Sequence, residues 1–291
     1  MPKVTKKMLG GIPLGRHSVN CRGRLVDLTV PVVMGILNVT PDSFFTGSRV
    51  TTEKVVQTAQ TMLSEGATFL DIGGYSTRPG AAEVSPAEEA DRVLPSIEAI
   101  LTNFPDALIS IDTFRASVAR QAIDAGASLI NDVSGGTLDS AMFSTVASLP
   151  GVPYVLMHLR GTPQTMQSLA IYKNVVTEVI DELASQLAAL RALGVNDIIL
   201  DPGFGFAKTP AQNFDLLSNL DALSLFGEPI LVGISRKTTI WKTLEISADE
   251  ALNGTTVLNT AALLKGATIL RVHDVREAVE AVKLTQRLTF F

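Results

Sequence analysis

The sequence predicts a closed (β/α)8 barrel, an α/β fold in which helices wrap eight parallel strands. Three observations carry this. Eight short runs of consecutive apolar, often β-branched residues recur along the chain, as expected of strands buried on both faces. The segments between them show helical spacing and helix-start signals. Eight such repeats fill about 260 residues, the length of one barrel. A doubly wound open sheet is the alternative assembly of the same elements.

Taken in order, residues 1–17 read as a flexible tail, and residues 18–291 as one domain. Residues 18–31 (SVNCRGRLVDLTVP) read as a short hairpin that plugs the barrel bottom. The strand runs follow at 32–37, 68–73, 107–112, 127–131, 152–157, 197–201, 229–234 and 267–272. Ser85-Pro86-Ala87-Glu88 and Thr209-Pro210-Ala211-Gln212 are capping-box patterns with proline at the first helical position, where no N–H is needed. Ser247-Ala248-Asp249-Glu250 repeats the box without the proline. The longest helical pattern runs over 172–193, with Val175, Val176, Val179, Ile180, Leu183, Leu187 and Leu190 on one side. Gly66, Gly126, Gly194 and Gly266 stand at helix exits.

Composition narrows the class. With 291 residues the chain buries a sufficient core without disulfides, and its single Cys21 cannot form one internally. That suits a reducing compartment, and a cytoplasmic location is expected. A formal charge of −5 argues against a nucleic-acid surface. No apolar run approaches the roughly 18 residues of a membrane span, and the basic N-terminus lacks the apolar core of a signal peptide.

In a barrel the chemistry sits where the strands end. Those ends read Asn38, Asp71, Asp112, Asn131, Met157-His158, Asp201, Ser235-Arg236-Lys237, and Arg271 with His273. Burying such groups is costly without partners, so they outline a polar pocket in an apolar wall. Carboxylates only accept hydrogen bonds, whereas amides donate and accept. Together they fit a flat heterocycle that presents N–H donors and a carbonyl. The two arginines and the lysine fit an anion. Ser76-Thr77-Arg78-Pro79-Gly80 is a loop suited to phosphate. Three scattered histidines do not make a metal-hydrolase centre. His158 reads as a buried, hydrogen-bonded side chain at a strand end, and Asp71 has the alternative of orienting the Thr77-Arg78 loop.

Eight segments, in order and at barrel spacing, resemble those of the dihydropteroate synthases. They are Gly35-Ile36-Leu37-Asn38-Val39-Thr40-Pro41-Asp42-Ser43-Phe44, Asp71-Ile72-Gly73-Gly74-Tyr75-Ser76-Thr77-Arg78-Pro79-Gly80, Ser110-Ile111-Asp112-Thr113, Ile130-Asn131-Asp132-Val133, Met157-His158, Asp201-Pro202-Gly203-Phe204-Gly205-Phe206, Gly233-Ile234-Ser235-Arg236-Lys237 and Arg271-Val272-His273-Asp274. The resemblance spans residues 18–288. It implies condensation of a dihydropterin methyl diphosphate with 4-aminobenzoate, giving dihydropteroate and pyrophosphate in folate biosynthesis. It further implies that Asp112, Asn131, Met157, Asp201, Phe206 and Lys237 bind the pterin. Asn38, Thr77, Arg78, Arg271 and His273 would bind the diphosphate, and Thr77, Phe206 and Ser235 the aminobenzoate. Arg78 and Lys237 would serve catalysis, Asn38 would hold Mg2+, and the chain would form a homodimer.

Two positions depart from the family pattern: Thr46 stands where an aspartate is common, and Thr238-Thr239 follow the Ser-Arg-Lys motif. A pterin-binding methyltransferase barrel acting on a methyl-tetrahydrofolate shares the Asp112, Asn131 and Asp201 pattern and is the rival reading. The Ser-Thr-Arg-Pro-Gly loop, Ser235-Arg236-Lys237 and Arg271-Val272-His273 favour the synthase. A Schiff-base aldolase using Lys237 and a non-catalytic pterin-binding barrel are the more distant rivals.

Overall fold

The computed structural model describes residues 17–39, 49–75 and 83–288. The tail before His17, Thr46 and the Thr77-Arg78 loop lie outside the described residues. The elements are β1 (Ser18–Cys21), β2 (Arg24–Asp27), β3 (Val32–Asn38), α1 (Arg49–Glu65), β4 (Phe69–Gly73), α2 (Pro86–Asn103), β5 (Leu108–Asp112), α3 (Ala116–Asp124), β6 (Leu129–Asp132), α4 (Met142–Ala147), β7 (Tyr154–Met157), α5 (Val175–Ala192), β8 (Ile198–Asp201), α6 (Pro210–Ser218), β9 (Leu231–Val232), α7 (Thr238–Leu244), α8 (Leu252–Leu264), β10 (Ile269–Val272) and α9 (Val275–Leu288).

Strands β3 to β10 form one parallel sheet in the order β8-β7-β6-β5-β4-β3-β10-β9. A single bridge, Leu200 to Ile230, joins β8 to β9 and closes the ring. The barrel predicted from the repeats is therefore present. Its eighth partner in sheet order, β9, is shorter than the 229–234 run. Pro229 has no N–H to donate to a ladder, so pairing begins one residue later.

Side-chain parity sets the layers, because alternate residues of a strand face opposite sides. Leu70, Ile72, Ile109, Ile111, Ile130 and Leu200 point outward into the main core against the helices. Met34, Phe69, Leu108, Leu129, Val155, Ile199, Leu231 and Ile269 point inward and fill the bottom of the barrel. The β1–β2 hairpin closes this end, as expected: Val19, Cys21, Val26 and Leu28 pack into that inner cluster. Burying each such aliphatic side chain is worth about 1.5–3 kcal/mol. The Arg22 guanidinium fastens the hairpin turn by donating to the carbonyls of Ile123 and Ala127 at 2.8 and 3.3 Å. Burial pushes the Cys21 thiol up to about 12, which leaves it unreactive at neutral pH.

The helix starts follow the sequence signals with one exception. Thr209 and Gln212 form the full reciprocal box on α6. Ser85 caps α2 through the Glu88 N–H at 3.2 Å, while the Glu88 carboxylate turns to Arg92 at 2.6 Å. The Ser247–Glu250 box does not start a helix; it closes a turn, and α8 begins only at Leu252. The Glu250 carboxylate takes both the N–H and the hydroxyl of Ser247, at 3.0 and 2.8 Å. Arg236 meanwhile captures the Ala248 and Asp249 carbonyls, at 3.2 and 2.7 Å, that a helix would have used.

Candidate active site

Counting two residues onward from the apolar bottom layer reaches Asp71, Asn131, Met157, Asp201 and Arg271 on the same inward face. Two further on, Asp112 and Asn38 stand at the mouth, and His273 follows β10. Register brings them level: Asp112 pairs with Asn131, and Met157 with Asp201. Strand parity alone therefore converts a hydrophobic floor into a polar mouth.

Charge pairing organises that mouth. The Arg271 Nε donates to Asp71 Oδ2 at 2.6 Å and its Nη2 donates to Asp112 Oδ2 at 2.5 Å. Asn131 Nδ2 donates to the same Asp71 oxygen at 3.0 Å. Asp71 is wholly buried, and its Oδ2 orients one arginine and one amide. Its partners are Arg271 and Asn131; the Thr77-Arg78 loop assigned to it as an alternative lies outside the described residues. Burial pushes the Asp112 carboxyl up to about 7, against the opposing pull of Arg271 and with further repulsion from Asp71.

The β8 end supplies a second acceptor. Burial also raises Asp201, which Lys237 counteracts; its Oδ1 accepts the Gly203 N–H at 2.7 Å. Gly203 has φ +72°, and a Cβ there would lie 2.0 Å from the His158 carbonyl oxygen, so only glycine fits this turn. Lys237 reaches the turn from the other side. Its Nζ donates to the Phe204 carbonyl at 2.5 Å and sits 4.5 Å from the Phe206 ring centroid. Burial draws its ammonium down to about 8.

Lys237 is presented by a strained turn. Arg236 adopts φ +53°, which favours glycine, and costs roughly 1–2 kcal/mol for other residues. A bidentate pair with Asp274, at 2.8 and 2.7 Å, holds it there. Ser235 Oγ accepts the His273 N–H at 3.2 Å, and its hydroxyl faces His273 Nδ1 at 3.0 Å. Met157, Phe206, Val133, Leu159, Met166, Ala207, Phe114 and Leu138 form an apolar wall beside these groups.

Asp112, Asn131, Met157, Asp201, Phe206, Ser235, Lys237, Arg271, His273 and Asn38 thus gather at one end of the barrel. Thr77 and Arg78 lie outside the described residues. His158 points away into a buried chain: Nε2 meets Glu182 at 3.0 Å and Nδ1 meets Lys208 at 3.0 Å. Burial, reinforced by Lys208, lowers it to about 4, so the ring is neutral. Sequence reading missed Lys208 altogether. The only signal was its place two residues after Phe206, the end of the Gly-Phe-Gly-Phe segment.

Buried and half-buried acceptors opposite half-buried cations, beside an apolar wall, define a site for a flat polar heterocycle with an anionic arm. Comparison with known proteins agrees. The model of the family described as Pterin binding enzyme matches residues 34–273. The chain belongs to that family. It is 42% identical to the dihydropteroate synthase of Escherichia coli (strain K12) over 91% of this chain and 94% of that one. Among solved structures, the Xanthomonas albilineans dihydropteroate synthase with 4-aminobenzoic acid has a TM-score of 0.87 and 39% identity. It is covered over 99% of its length and 94% of this chain. The same enzyme in complex with 7,8-dihydropteroate gives a TM-score of 0.84 at 37% identity, over 94% of this chain and 99% of that one.

Proposed function

We infer that this chain is a dihydropteroate synthase. It joins (7,8-dihydropterin-6-yl)methyl diphosphate to 4-aminobenzoate and releases pyrophosphate. The observation that carries this is the set Asp112, Asn131, Asp201 and Lys237 around one mouth, in a chain that matches synthases along nearly their whole length. The methyltransferase reading is not favoured, because the full-length relatives are synthases and one structural neighbour holds 7,8-dihydropteroate.

The residues account for the chemistry. Asp112, Asp201 and the Asn131 amide accept from the N–H edge of the pterin, and Lys237 donates to its carbonyl side. Met157 and Phe206 flank the ring. When the C–O bond breaks, pyrophosphate leaves with the electron pair and positive charge spreads from the methylene into the pterin. The Asp112 and Asp201 carboxylates stabilise that charge. Arg271, His273 and Arg78 stabilise the departing anion. The aminobenzoate nitrogen, placed by Ser235, Phe206 and Thr77, supplies its lone pair to the carbon and then loses a proton. No activated serine or cysteine is required.

The donor set at the mouth fits Mg2+. This ion keeps several waters and takes one or two side chains, most often carboxylates, plus substrate phosphates. Asn38 ends β3 at the mouth and carries one amide oxygen. Asn38 would hold the ion, which would neutralise charge on the diphosphate.

Self-association is part of the same proposal. Val257 and Leu264 of α8, with Leu284 and Leu288 of α9, are each more than half exposed, an apolar surface suited to a second copy. A monomeric mass by light scattering overturns the homodimer. A cytoplasmic location suits the unpaired, buried Cys21; no helix among the described residues is long and apolar enough to cross a membrane.

Pyrophosphate release tests the whole reading. It should require the pterin diphosphate, 4-aminobenzoate and Mg2+ together. Release without aminobenzoate, or none with all three present, refutes it.

A further inference from the structure

The Gly203–Phe206 turn is gripped by two lysines, and only one of them belongs to the pterin set. Lys237 holds the Phe204 carbonyl from the mouth side. Lys208 holds the other face. Its Nζ lies 3.0 Å from the Gly203 carbonyl oxygen, 3.1 Å from that of Phe206 and 3.0 Å from His158 Nδ1. An ammonium has three donors, and here all three are used. Each lysine also follows a non-glycine residue in the left-handed region, Ala207 at φ +49° and Arg236 at φ +53°. Such strain persists only where the surroundings fix it, and it concentrates at working sites.

Lys208 is 3% exposed and has no carboxylate within ion-pair distance among the described residues. An unpaired buried cation is costly, and an apolar side chain of similar length would fill the same space. What an apolar side chain cannot do is draw two carbonyls of one turn onto a single point. Behind Lys208, His158 accepts through Nδ1 and donates through Nε2 to Glu182. The Arg160 guanidinium grips that carboxylate in turn, with Nε at 2.9 Å from Oε1. The chain from α5 through β7 to the turn is continuous.

We propose that Lys208 is a positioning residue for the pterin end of the site: by holding the Gly203 and Phe206 carbonyls it sets the Phe206 ring and the Phe204 carbonyl against which Lys237 lies. His158 and Glu182 are the support of that ammonium. The proposal rests on the pterin-pocket reading given above.

The test uses the full chain. Lys208→Met removes the ammonium and keeps the length. It should melt cooperatively, yet the KM for both substrates should rise about tenfold or more, with a smaller fall in kcat. The His158 pair provides a second arm: His158→Asn keeps an acceptor facing Lys208 and should hold KM within about threefold of the native value, whereas His158→Leu should raise it further. A folded Lys208→Met protein with native KM values overturns the proposal. If Lys208→Met does not fold, equal KM values in the two His158 variants overturn it. Loss of pterin binding by the native protein would instead refute the pterin reading itself.

Discussion

Asp71→Asn is the sharpest test of the mouth. The substitution keeps shape and removes one charge. Asp71 is wholly buried, and its Oδ2 serves both Arg271 at 2.6 Å and Asn131 at 3.0 Å. A hydrogen bond to a charged group is worth about 1.5–3 kcal/mol net, and breaking a buried ion pair costs about 3–5 kcal/mol. Arg271 retains Asp112 at 2.5 Å, so the loss should fall at the lower end, about 2–3 kcal/mol. For a chain of this size that lowers the melting temperature by roughly 5 °C. The larger effect is on binding. Without Asp71 the guanidinium leans wholly on Asp112, which then has less acceptor capacity for the pterin edge. Pterin affinity should fall about 10- to 100-fold, or 1.4–2.7 kcal/mol. Calorimetric titration with a pterin, alongside a thermal melt, reads both quantities. A variant that loses stability but binds pterin within about twofold of the native protein refutes the role given to Asp71.

Other outcomes follow from the same geometry. The kcat/KM for the pterin substrate should rise through about pH 7 as Asp112 loses its proton and becomes an acceptor, then fall above about pH 8 as Lys237 loses its charge. Lys237→Arg keeps the cation and should abolish the alkaline limb; a persistent limb assigns it to another group. Leu28→Ala in the plug should cost about 2–4 kcal/mol by denaturant titration with KM unchanged, since it lies at the opposite end from the site. Tyr154→Phe removes the 2.7 Å bond to buried Asp132 and should cost about 1.5–3 kcal/mol, again without effect on KM.

The fold was legible because burial on both faces leaves a consecutive apolar signature that strand and helix lengths then resolve. Most of the site was legible for a related reason. In-facing positions two or four residues beyond an apolar floor residue carry Asp71, Asp112, Asn131, Met157, Asp201 and Arg271. Side-chain partners were not legible. Arg271 meets Asp71 across 200 residues and Asp112 across 159, and nothing in local spacing selects those two carboxylates. Lys208 was invisible because its importance comes from three acceptors that converge only in the folded turn. Ser247–Glu250 misled because the rule for helix starts is local, while Arg236 draws the carbonyls away from a distant turn.

The narrow closure between β8 and β9 has a consequence for how the enzyme breathes. Leu200 and Ile230 form its one bridge, and β9 contributes two residues to β10. Asp201 lies directly after that bridge on one side, and Ser235 and Lys237 follow β9 on the other. The ring is therefore weakest at the pair of strands that present both the pterin acceptor and the lysine, while the plug secures the far end. Amide hydrogen exchange should enter at Leu200 and residues 230–234 well before β4 and β5, through an opening that leaves the rest of the barrel folded. Uniform protection around the ring would show that this seam is as tight as the others.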